Sequence, residues 1–413
     1  MREYAVVLLT AALVTFLTTP VVRMVATRLR MMAAPRERDV HVIPTPRGGG
    51  VAMYLGVAAA VLVASRLPAL QRTFDDSQTY AVLVAGGLIC LLGVLDDKWG
   101  LDALTKLTGQ IAAAGVMVLL GVQLAFLFLP VADIGTISLG PQLGVPMTIL
   151  LTVLTVNALN FIDGLDGLAA GVSAIAALAF FAYSYNLGLV GYDQVASAPA
   201  LITAVLAGAC LGFLPHNFSP ARIFMGDSGS MLVGLMLSAA AVTATGGVDP
   251  QTFDSAASLL PLTLPLLVPI AILFIPFVDL VMAVIRRSLR GQSPFSPDKM
   301  HLHHRLLSIG HSHRRAVLVM YFWAALLSFG AVALSISGGT AELLVAIAVL
   351  LVVGIVVVLG PRARRAAREA RAAELVAQRE KSRADHPTAR AVRASEPANP
   401  PPPRTADPGP VLR

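Results

Sequence analysis

The sequence predicts an all-α fold, a polytopic integral membrane protein with about 11 transmembrane helices. Of its 413 residues, 56% are hydrophobic and only 13% are charged. Apolar stretches of about 20 residues, enough to cross the roughly 30 Å hydrocarbon core of a bilayer, recur along most of the chain. Lys and Arg are concentrated in every second loop between these stretches. Membrane lipid is therefore an expected partner of the chain.

The expected membrane spans are apolar runs separated by short polar segments. They cover residues 4–26, 48–66, 79–95, 107–129, 144–160, 167–187, 199–215, 228–245, 257–285, 316–337 and 341–359. The first run follows only one basic residue, Arg2, and shows no convincing small-residue cleavage site. We therefore expect it to be a retained helix and not a removed signal peptide.

The distribution of basic residues predicts the orientation of the spans. The loops after odd-numbered spans, counted with the basic end of the first span, carry 16 Lys or Arg, and the opposite side carries 3. Basic loops usually remain in the cytoplasm. We therefore expect a multi-pass protein of the cell membrane with its N-terminus outside, its C-terminus in the cytoplasm and its acidic clusters on the cytoplasmic face.

The composition divides the chain into a membrane domain, residues 1–360, and a basic, Pro-rich cytoplasmic tail, residues 361–413. The tail holds twelve Lys or Arg and largely explains the net charge of +7, so that charge does not indicate a nucleic-acid partner. Basic cytoplasmic tails commonly orient a membrane protein or contact anionic lipid. Within the tail, residues 385–413 contain PANPPPP and few large apolar residues, which predicts disorder.

Two adjacent aspartates, Asp96 and Asp97, end the third span in LICLLGVLDDKWGLDALTK. Ionised carboxylates at the end of an apolar helix repel each other and lose hydration, so a cation or a proton usually compensates them. Because adjacent side chains project in different directions, one carboxylate could hold a metal while the other faces a substrate. The alternative is a solvated helix end, where Lys98 and Lys106 would add snorkelling contacts.

Polar side chains recur where the fifth span ends, in TVNALNFIDGLDGLAAG. Asn157, Asn160 and Asp163 are spaced by three residues, so they share one face while the helix persists. Asp166 follows near the start of the sixth span, where its charge suits the positive end of the helix dipole. A helix cap would explain Asp166 alone, but not the aligned polar residues before it.

The segment HNFSPARIFMGDSGSMLVG places Asp227 between Gly226 and Ser228, just before the eighth span. Small residues let a phosphate or a hydrated metal approach the backbone, and a helix N-terminus offers unpaired N–H groups to an anion. The alternative is a capping role, which suits Ser228 and Ser230 better than Asp227.

Three histidines and an arginine, His301, His303, His304 and Arg305, lie close together in the longest internal loop, SPFSPDKMHLHHRLLSIGHSHRR. They could contact a pyrophosphate or a sugar, act as acid or base, or bind a transition metal. A solvated basic loop is the alternative. Neither cysteine nor an HExxH motif accompanies them, so zinc is disfavoured.

A weaker signal is Arg47, which precedes Gly48, Gly49 and Gly50 directly before the second span. Glycines before a helix often form only a turn, but an arginine beside them could cradle a phosphate. Taken together, acidic clusters at one membrane boundary and a basic loop on the same side indicate metal-dependent chemistry on phosphates.

In this order, the motifs LDDKWGL, NALNFIDGLDGLAAG, FMGDSGS and HLHHR resemble the polyprenyl-phosphate N-acetylhexosamine-1-phosphate transferase superfamily over roughly residues 1–340. HLHHR and PTPRGGG are similar to the branch that uses UDP-N-acetylglucosamine (UDP-GlcNAc). The sister branch, the phospho-N-acetylmuramoyl-pentapeptide transferases, has three consecutive histidines followed by an aromatic residue and an acid. Here Leu302 interrupts the histidines and Arg305 follows them.

The resemblance implies transfer of GlcNAc-1-phosphate from UDP-GlcNAc to a polyprenyl phosphate, which yields polyprenyl-diphospho-GlcNAc and UMP. This reaction begins the synthesis of lipid-linked cell-wall or surface glycans. The implied cofactor is Mg²⁺, with Mn²⁺ as a potential substitute. A homodimer is a possible assembly, and no nucleic-acid partner is expected.

The resemblance also implies roles for individual residues. Asp96 would deprotonate or orient the lipid phosphate, Asp97 would lie close to the metal or the phosphate, and Asp227 would be a magnesium ligand. Lys106 matches a lysine near the phosphates. The expected substrate-binding residues are Arg47, Asn160, Asp163 and Asp166, then Asn217 and Phe224 at the uridine pocket, and His301, His303, His304 and Arg305 at the sugar and the diphosphate.

Three other functions are alternatives to this one. A pentapeptide transferase of the sister branch is the nearest alternative. A secondary transporter would also have many apolar helices with a few charges, but its site would lie near the bilayer midplane and not at helix ends. A CDP-alcohol phosphotransferase shares a superficial likeness to DGLDG, yet the Ala-Arg pair and the later aspartates of its motif are missing.

Overall fold

A computed structural model of the chain describes residues 1–33, 44–128, 136–189, 193–246, 312–337 and 344–354, and four isolated helical positions, 274, 281, 284 and 285. The chain forms one compact unit over Met1–Val358. The second unit, Leu359–Arg413, lies outside the described residues.

The described residues are mostly helical, which confirms the predicted class. Two short antiparallel hairpins, β1 with β2 and β3 with β4, and a 3-10 helix at Pro68–Phe74 interrupt the helices. In chain order the elements are α1 Arg2–Arg28, β1 Met32–Ala33, β2 Thr45–Pro46, α2 Gly49–Ala64, α3 Gln78–Trp99, α4 Ala103–Leu119, β3 Phe126–Phe128, β4 Thr136–Ser138, α5 Gly140–Ile162, α6 Leu168–Leu189, α7 Asp193–Asn217, α8 Gly226–Gly246, α9 His313–Ser337 and α10 Leu344–Gly354.

Among the described residues, seven helices are long and apolar enough to cross a membrane: α1, α3, α5, α6, α7, α8 and α9. An eighth span results if α2 and the 3-10 helix after it, bent by 111° at their junction, count together. The protein is therefore a polytopic helical membrane protein. The predicted span 257–285 lies outside the described residues except for isolated positions, and 341–359 is described over 344–354.

The fourth predicted span, 107–129, differs most from the structure. Helix α4 begins at Ala103 and ends at Leu119, and the hairpin of β3 and β4 follows where the span was expected to continue. Gly121 has a φ of 103° in the turn after α4, a conformation that glycine adopts readily and that ends a helix. Apolar residues beyond this turn form strand β3. The longer helix was predicted because hydropathy alone does not distinguish an apolar helix from an apolar strand.

Helix α8 lies at the centre of the helical array and packs against α2, α3, α5 and α7. In the most apolar segment of α8, 94% of the residues are buried, whereas in that of α1, at the periphery, the share is 22%. Close approach of the neighbours depends on small residues: a Cβ at Gly234 of α8 would lie 2.5 Å from the Cα of Val156 in α5. The fold therefore places the N-terminus of α8 among the ends of several other helices.

Candidate active site

The turn between α3 and α4 brings Lys106 back over the aspartate pair. Helix α3 ends at Gly100, which has a φ of 67° and donates its N–H to the carbonyl of Asp96 at 2.8 Å. Asp102 then begins α4 by accepting hydrogen bonds at 3.0 Å from the backbone N–H groups of Leu104 and Thr105. One turn into α4, Lys106 faces the end of α3.

Lys106 lies between two carboxylates of different helices. Its Nζ is 3.0 Å from Oδ2 of Asp96 and also contacts Oδ2 of Asp227, at the start of α8. The three side chains are only 12 to 22% exposed, so water screens their charges little. A lysine held in this position places positive charge beside both aspartates.

Asn160 binds the other oxygen of Asp227. Its Nδ2 lies 2.9 Å from Oδ1 of Asp227 and 2.9 Å from Oγ of Ser230. One turn earlier on α5, Asn157 donates from Nδ2 to Oε1 of Gln110 in α4 at 2.8 Å. The asparagine spacing in the sequence thus corresponds to two successive polar contacts between α5 and its neighbours.

Asp97 faces α8 and not Lys106. Its Oδ1 accepts the backbone N–H of Asp227 at 2.9 Å. Its Oδ2 accepts the backbone N–H of Ser228 at 3.2 Å and the hydroxyl of Ser228 at 2.9 Å. The two aspartates of the pair therefore have different surroundings, as their adjacency predicts.

The turn between α5 and α6 contributes a fourth carboxylate, Asp163. Burial, together with the negative charge of Asp227, raises the pKa of Asp163 to about 7, although the nearby positive charge of Arg47 acts in the opposite direction. Arg47 and Asp163 were both predicted to bind substrate, and the charge of one acts on the other. Their roles toward a substrate remain predictions.

Asp166 and Asn217, also predicted to bind the nucleotide sugar, are buried here and bind backbone groups. Oδ2 of Asp166 accepts the N–H of Ala221 at 3.0 Å. Asn217 accepts the N–H of Gly167 at 3.1 Å and donates to the carbonyl of Ile223 at 3.0 Å. Both side chains thus connect the α5–α6 turn to the loop between α7 and α8, and any contact with the base remains a prediction.

Two of the glycines after Arg47, Gly49 and Gly50, pack against the start of α8 and the loop before it, and any phosphate contact of Arg47 beside them remains a prediction. The N–H groups of Gly49 and Gly50 donate to the carbonyls of Phe224 and Met225, both at 3.1 Å. A Cβ at Gly50 would lie 2.2 Å from the backbone N of Gly229, so only glycine fits this close approach. Phe224, expected at the uridine pocket, is half-buried beside this contact.

The histidine loop lies outside the described residues, so the structure does not describe His301, His303, His304 or Arg305. Helix α9 follows that loop, and the hydroxyl of its Tyr321 donates to the carbonyl of Gly167 in the α5–α6 turn. Tyr321 and Gln110 lie outside the motifs from which the site was predicted. For Gln110 a signal existed, since it is a polar residue one turn after Lys106 on an otherwise apolar helix.

The donor atoms at this site suit Mg²⁺. In the part of the chain that the structure describes, no three His, Cys, Asp or Glu side chains form a metal-binding group. Mg²⁺ does not require such a group, because one or two carboxylates, waters and substrate phosphates usually complete its coordination. The carboxylate of Asp227, 22% exposed, supplies hard oxygen donors of this kind.

The fold and the site together define a class: a polytopic membrane protein with four carboxylates, a lysine and an asparagine gathered where helix ends meet. The sequence is similar to those of known proteins. Residues 79–245 match Glycosyl transferase family 4. The decaprenyl-phosphate N-acetylglucosaminephosphotransferase of Mycolicibacterium smegmatis is 53% identical over 369 residues, 88% of this chain and 90% of that protein.

Two more distant relatives extend the comparison. The probable undecaprenyl-phosphate N-acetylglucosaminyl 1-phosphate transferase of Bacillus subtilis is 33% identical and covers 81% of this chain and 86% of that protein. The phospho-N-acetylmuramoyl-pentapeptide-transferase of Desulforudis audaxviator is also 33% identical, over 76% of this chain and 92% of its own length. The chain belongs to the polyprenyl-phosphate GlcNAc-1-phosphate transferase family, as the motifs in its sequence predict.

Proposed function

We propose that this chain transfers GlcNAc-1-phosphate from UDP-GlcNAc to a polyprenyl phosphate at the cytoplasmic face of the membrane, and so begins the synthesis of a lipid-linked cell-wall or surface glycan. The printed names of the mycobacterial and Bacillus relatives support this activity. The observation that carries it is the position of Lys106 between Asp96 and Asp227 at the ends of three helices. That arrangement can hold two phosphorylated substrates at a membrane boundary.

The reaction exchanges one phosphoanhydride for another. An oxygen of the lipid phosphate attacks the β-phosphorus of UDP-GlcNAc, and the bond between that phosphorus and the bridging oxygen breaks as UMP leaves. The bond between the sugar C1 and its oxygen persists, so the anomeric configuration is retained. Because the bonds made and broken are alike, UMP should drive the reaction backward.

The residues at the site act mainly through charge and orientation. Lys106 neutralises negative charge where the two phosphates approach, which lowers the repulsion between nucleophile and electrophile. Asp96, 3.0 Å from Lys106, accepts a proton from the lipid phosphate or orients it. Asn160 fixes one oxygen of Asp227 and leaves that carboxylate in a defined orientation.

Asp227 would hold Mg²⁺, and Asp97 is the other residue that the sequence predicted close to the metal. When bound, the metal supplies charge neutralisation on the diphosphate and the leaving UMP. Arg47, Asp163 and the histidine loop are proposed to bind the nucleotide sugar.

We also propose the finer topology that the basic loops predict, with eleven helices, the N-terminus outside and the C-terminus in the cytoplasm. Reporter fusions can test it. A periplasmic reporter such as alkaline phosphatase should be active after residue 132, in the predicted loop 130–143, which has no Lys or Arg, and inactive after residue 290, in the basic loop. The reverse pattern would contradict this orientation, and with it the cytoplasmic site.

The activity can be tested in membranes that contain the expressed chain. UDP-[³H]GlcNAc, a polyprenyl phosphate and Mg²⁺ should give butanol-soluble label that returns to UDP-GlcNAc when UMP is added. Asp227→Asn should give no lipid product. Asp76→Asn is the matched control, because α3 separates this exposed residue from Asp96 by roughly 30 Å at 1.5 Å per residue.

Two outcomes would contradict the proposal. Turnover of UDP-MurNAc-pentapeptide in place of UDP-GlcNAc would indicate the sister branch, to which the Desulforudis relative belongs by its name. If folded protein reacts with neither sugar nucleotide, transport becomes the leading alternative. Chemical cross-linking of the same membranes can test for the proposed homodimer.

A further inference from the structure

Asp97 closes the N-terminus of a helix to which it does not belong. The first N–H groups of a helix lack partners within it, and the side chain just before the helix usually supplies an acceptor. The residue at that position before α8 is Met225, whose side chain has no oxygen that could accept a hydrogen bond. The carboxylate of Asp97, from α3, accepts the N–H groups of Asp227 and Ser228 instead.

The start of α8 is pressed closely against this carboxylate. Gly226 has a φ of 71°, and a Cβ there would lie 2.4 Å from Oδ2 of Asp97. One turn earlier on α3, a Cβ at Gly93 would lie 2.3 Å from the backbone of Ser228. The two glycines therefore permit the contact, and any larger residue would displace α8 from Asp97.

The acceptor capacity of Asp97 is nearly filled. A carboxylate offers about four lone-pair positions. Three of them accept hydrogen bonds from α8: the N–H of Asp227, the N–H of Ser228 and the hydroxyl of Ser228. Little capacity remains for a metal ion.

Both the backbone and the side chain of Asp227 are thus held by neighbouring helices. Its backbone N–H points to Asp97, and its carboxylate points to Lys106 and Asn160. We propose that Asp97 is a positioning residue, which fixes the first turn of α8 so that the carboxylate of Asp227 faces the phosphates, and that Asp97 is not a metal ligand. This proposal rests on the proposed transferase activity and replaces the metal role that the sequence suggested for Asp97.

Hydrogen–deuterium exchange of the purified full chain in EDTA tests the structural part without substrate or metal. In Asp97→Asn, the peptide containing residues 226–230 should exchange at least about tenfold faster, because the NH₂ group that replaces one carboxylate oxygen cannot accept a hydrogen bond, and the backbone N–H of Asp227 or of Ser228 then loses its partner. Asp96→Asn is the matched control: the same charge is lost one residue away, but the backbone N–H that Asp96 accepts within the described residues is that of Leu101, in the α3–α4 turn, and not one of α8. Its exchange in this peptide should stay within about twofold of wild type.

Kinetics test the positioning role. Asp97→Asn should lower kcat by about 10- to 100-fold, while the KM for UDP-GlcNAc and the Mg²⁺ concentration for half-maximal rate stay within about twofold. Ser228→Ala, which removes one of the three donors, should change exchange and kcat in the same direction by smaller factors. It serves as the second variant if Asp97→Asn does not fold.

Unchanged exchange in Asp97→Asn with a Mg²⁺ requirement raised by tenfold or more would overturn the proposal and make Asp97 a metal ligand. Unchanged exchange and kcat in Ser228→Ala would also count against it. If wild-type protein forms no lipid product, the proposed function fails, but the exchange comparison of Asp97 with Asp96 still decides which residue supports α8.

Discussion

The side-chain amide of Asn160 lies 2.9 Å from Oδ1 of Asp227, so the end of α5 contacts the start of α8 at the proposed magnesium ligand. Because Lys106 contacts the other oxygen, both oxygens of Asp227 are engaged by neighbouring helices. A hydrogen bond to a carboxylate holds its orientation, and partners of metal-binding carboxylates often affect activity strongly.

Replacing Asn160 should therefore reduce turnover. We expect Asn160→Leu to lower kcat by about 10- to 100-fold, because Asp227 loses an oriented donor. Asn160→Asp should be worse, since it places a second negative charge beside Asp227. The radiolabel assay with purified variants measures both. An Asp variant more active than the Leu variant would argue that the charge of Asp227 is already compensated by other groups.

Replacing Lys106 should nearly abolish transfer. Lys106→Met removes the positive charge between Asp96 and Asp227, and we expect a loss of about 10²- to 10³-fold in kcat, as for other preorganised groups that stabilise a transition state. Lys98→Met is the control, because Lys98 is exposed and lies over the ring of Trp99, 4.7 Å from its centroid. If the two variants lose kcat equally, the loss results from the change in overall positive charge and not from the position of Lys106 in the site.

The contact between Gln110 and Asn157 should contribute to stability. Gln110 is 1% exposed, so replacing Asn157 alone by Leu leaves a buried amide with one partner fewer, at a cost of about 1–3 kcal/mol. Replacing both by Leu should recover much of that loss. A double-mutant cycle on the free energy of unfolding in detergent measures the coupling, which in membrane proteins averages about 0.6 kcal/mol. Strict additivity of the two substitutions would contradict the contact.

Replacing a glycine by alanine should have opposite effects on stability at Gly93 in α3 and at Gly115 in α4. Gly93→Ala places a Cβ 2.3 Å from backbone atoms of Ser228, so a helix must shift, and we expect a loss of about 1–3 kcal/mol with reduced activity. Gly115→Ala meets no atom within 4 Å and should stabilise α4 by about 0.5–1 kcal/mol. Unfolding temperatures of the two variants provide the comparison, and destabilisation by Gly115→Ala would show that α4 packs more tightly there.

Much of the fold could be predicted because hydropathy is a local property. Helices α1, α3, α5, α6, α8 and α9 lie within a few residues of the predicted spans. The prediction for 107–129 was wrong in its second half, where an apolar segment pairs as β3 and β4 instead of continuing α4. Hydropathy measures how apolar a segment is and not which hydrogen bonds its backbone will form.

The site shows the same division at the level of single residues. The spacing of Asn157 and Asn160 predicted a shared face, but their partners, Gln110 and Asp227, come from different helices. Arg47 beside the following glycines was predicted to cradle a phosphate, and that role stays a prediction. What the local pattern did not predict is that the N–H groups of Gly49 and Gly50 donate to Phe224 and Met225, in the loop before α8. A residue's partner can lie far away in the sequence, and nothing in the local pattern specifies it.

The sequence by itself determined that this is a polytopic helical membrane protein of this transferase family, because apolar length, basic loops and ordered motifs are properties of the chain alone. Only the tertiary structure decided which partner each aspartate of the pair meets: Asp96 pairs with Lys106, and Asp97 accepts the N–H of Asp227, 130 residues later at the start of α8. Adjacent side chains on a helix point about 100° apart, and the packing of other helices fixes what each one meets.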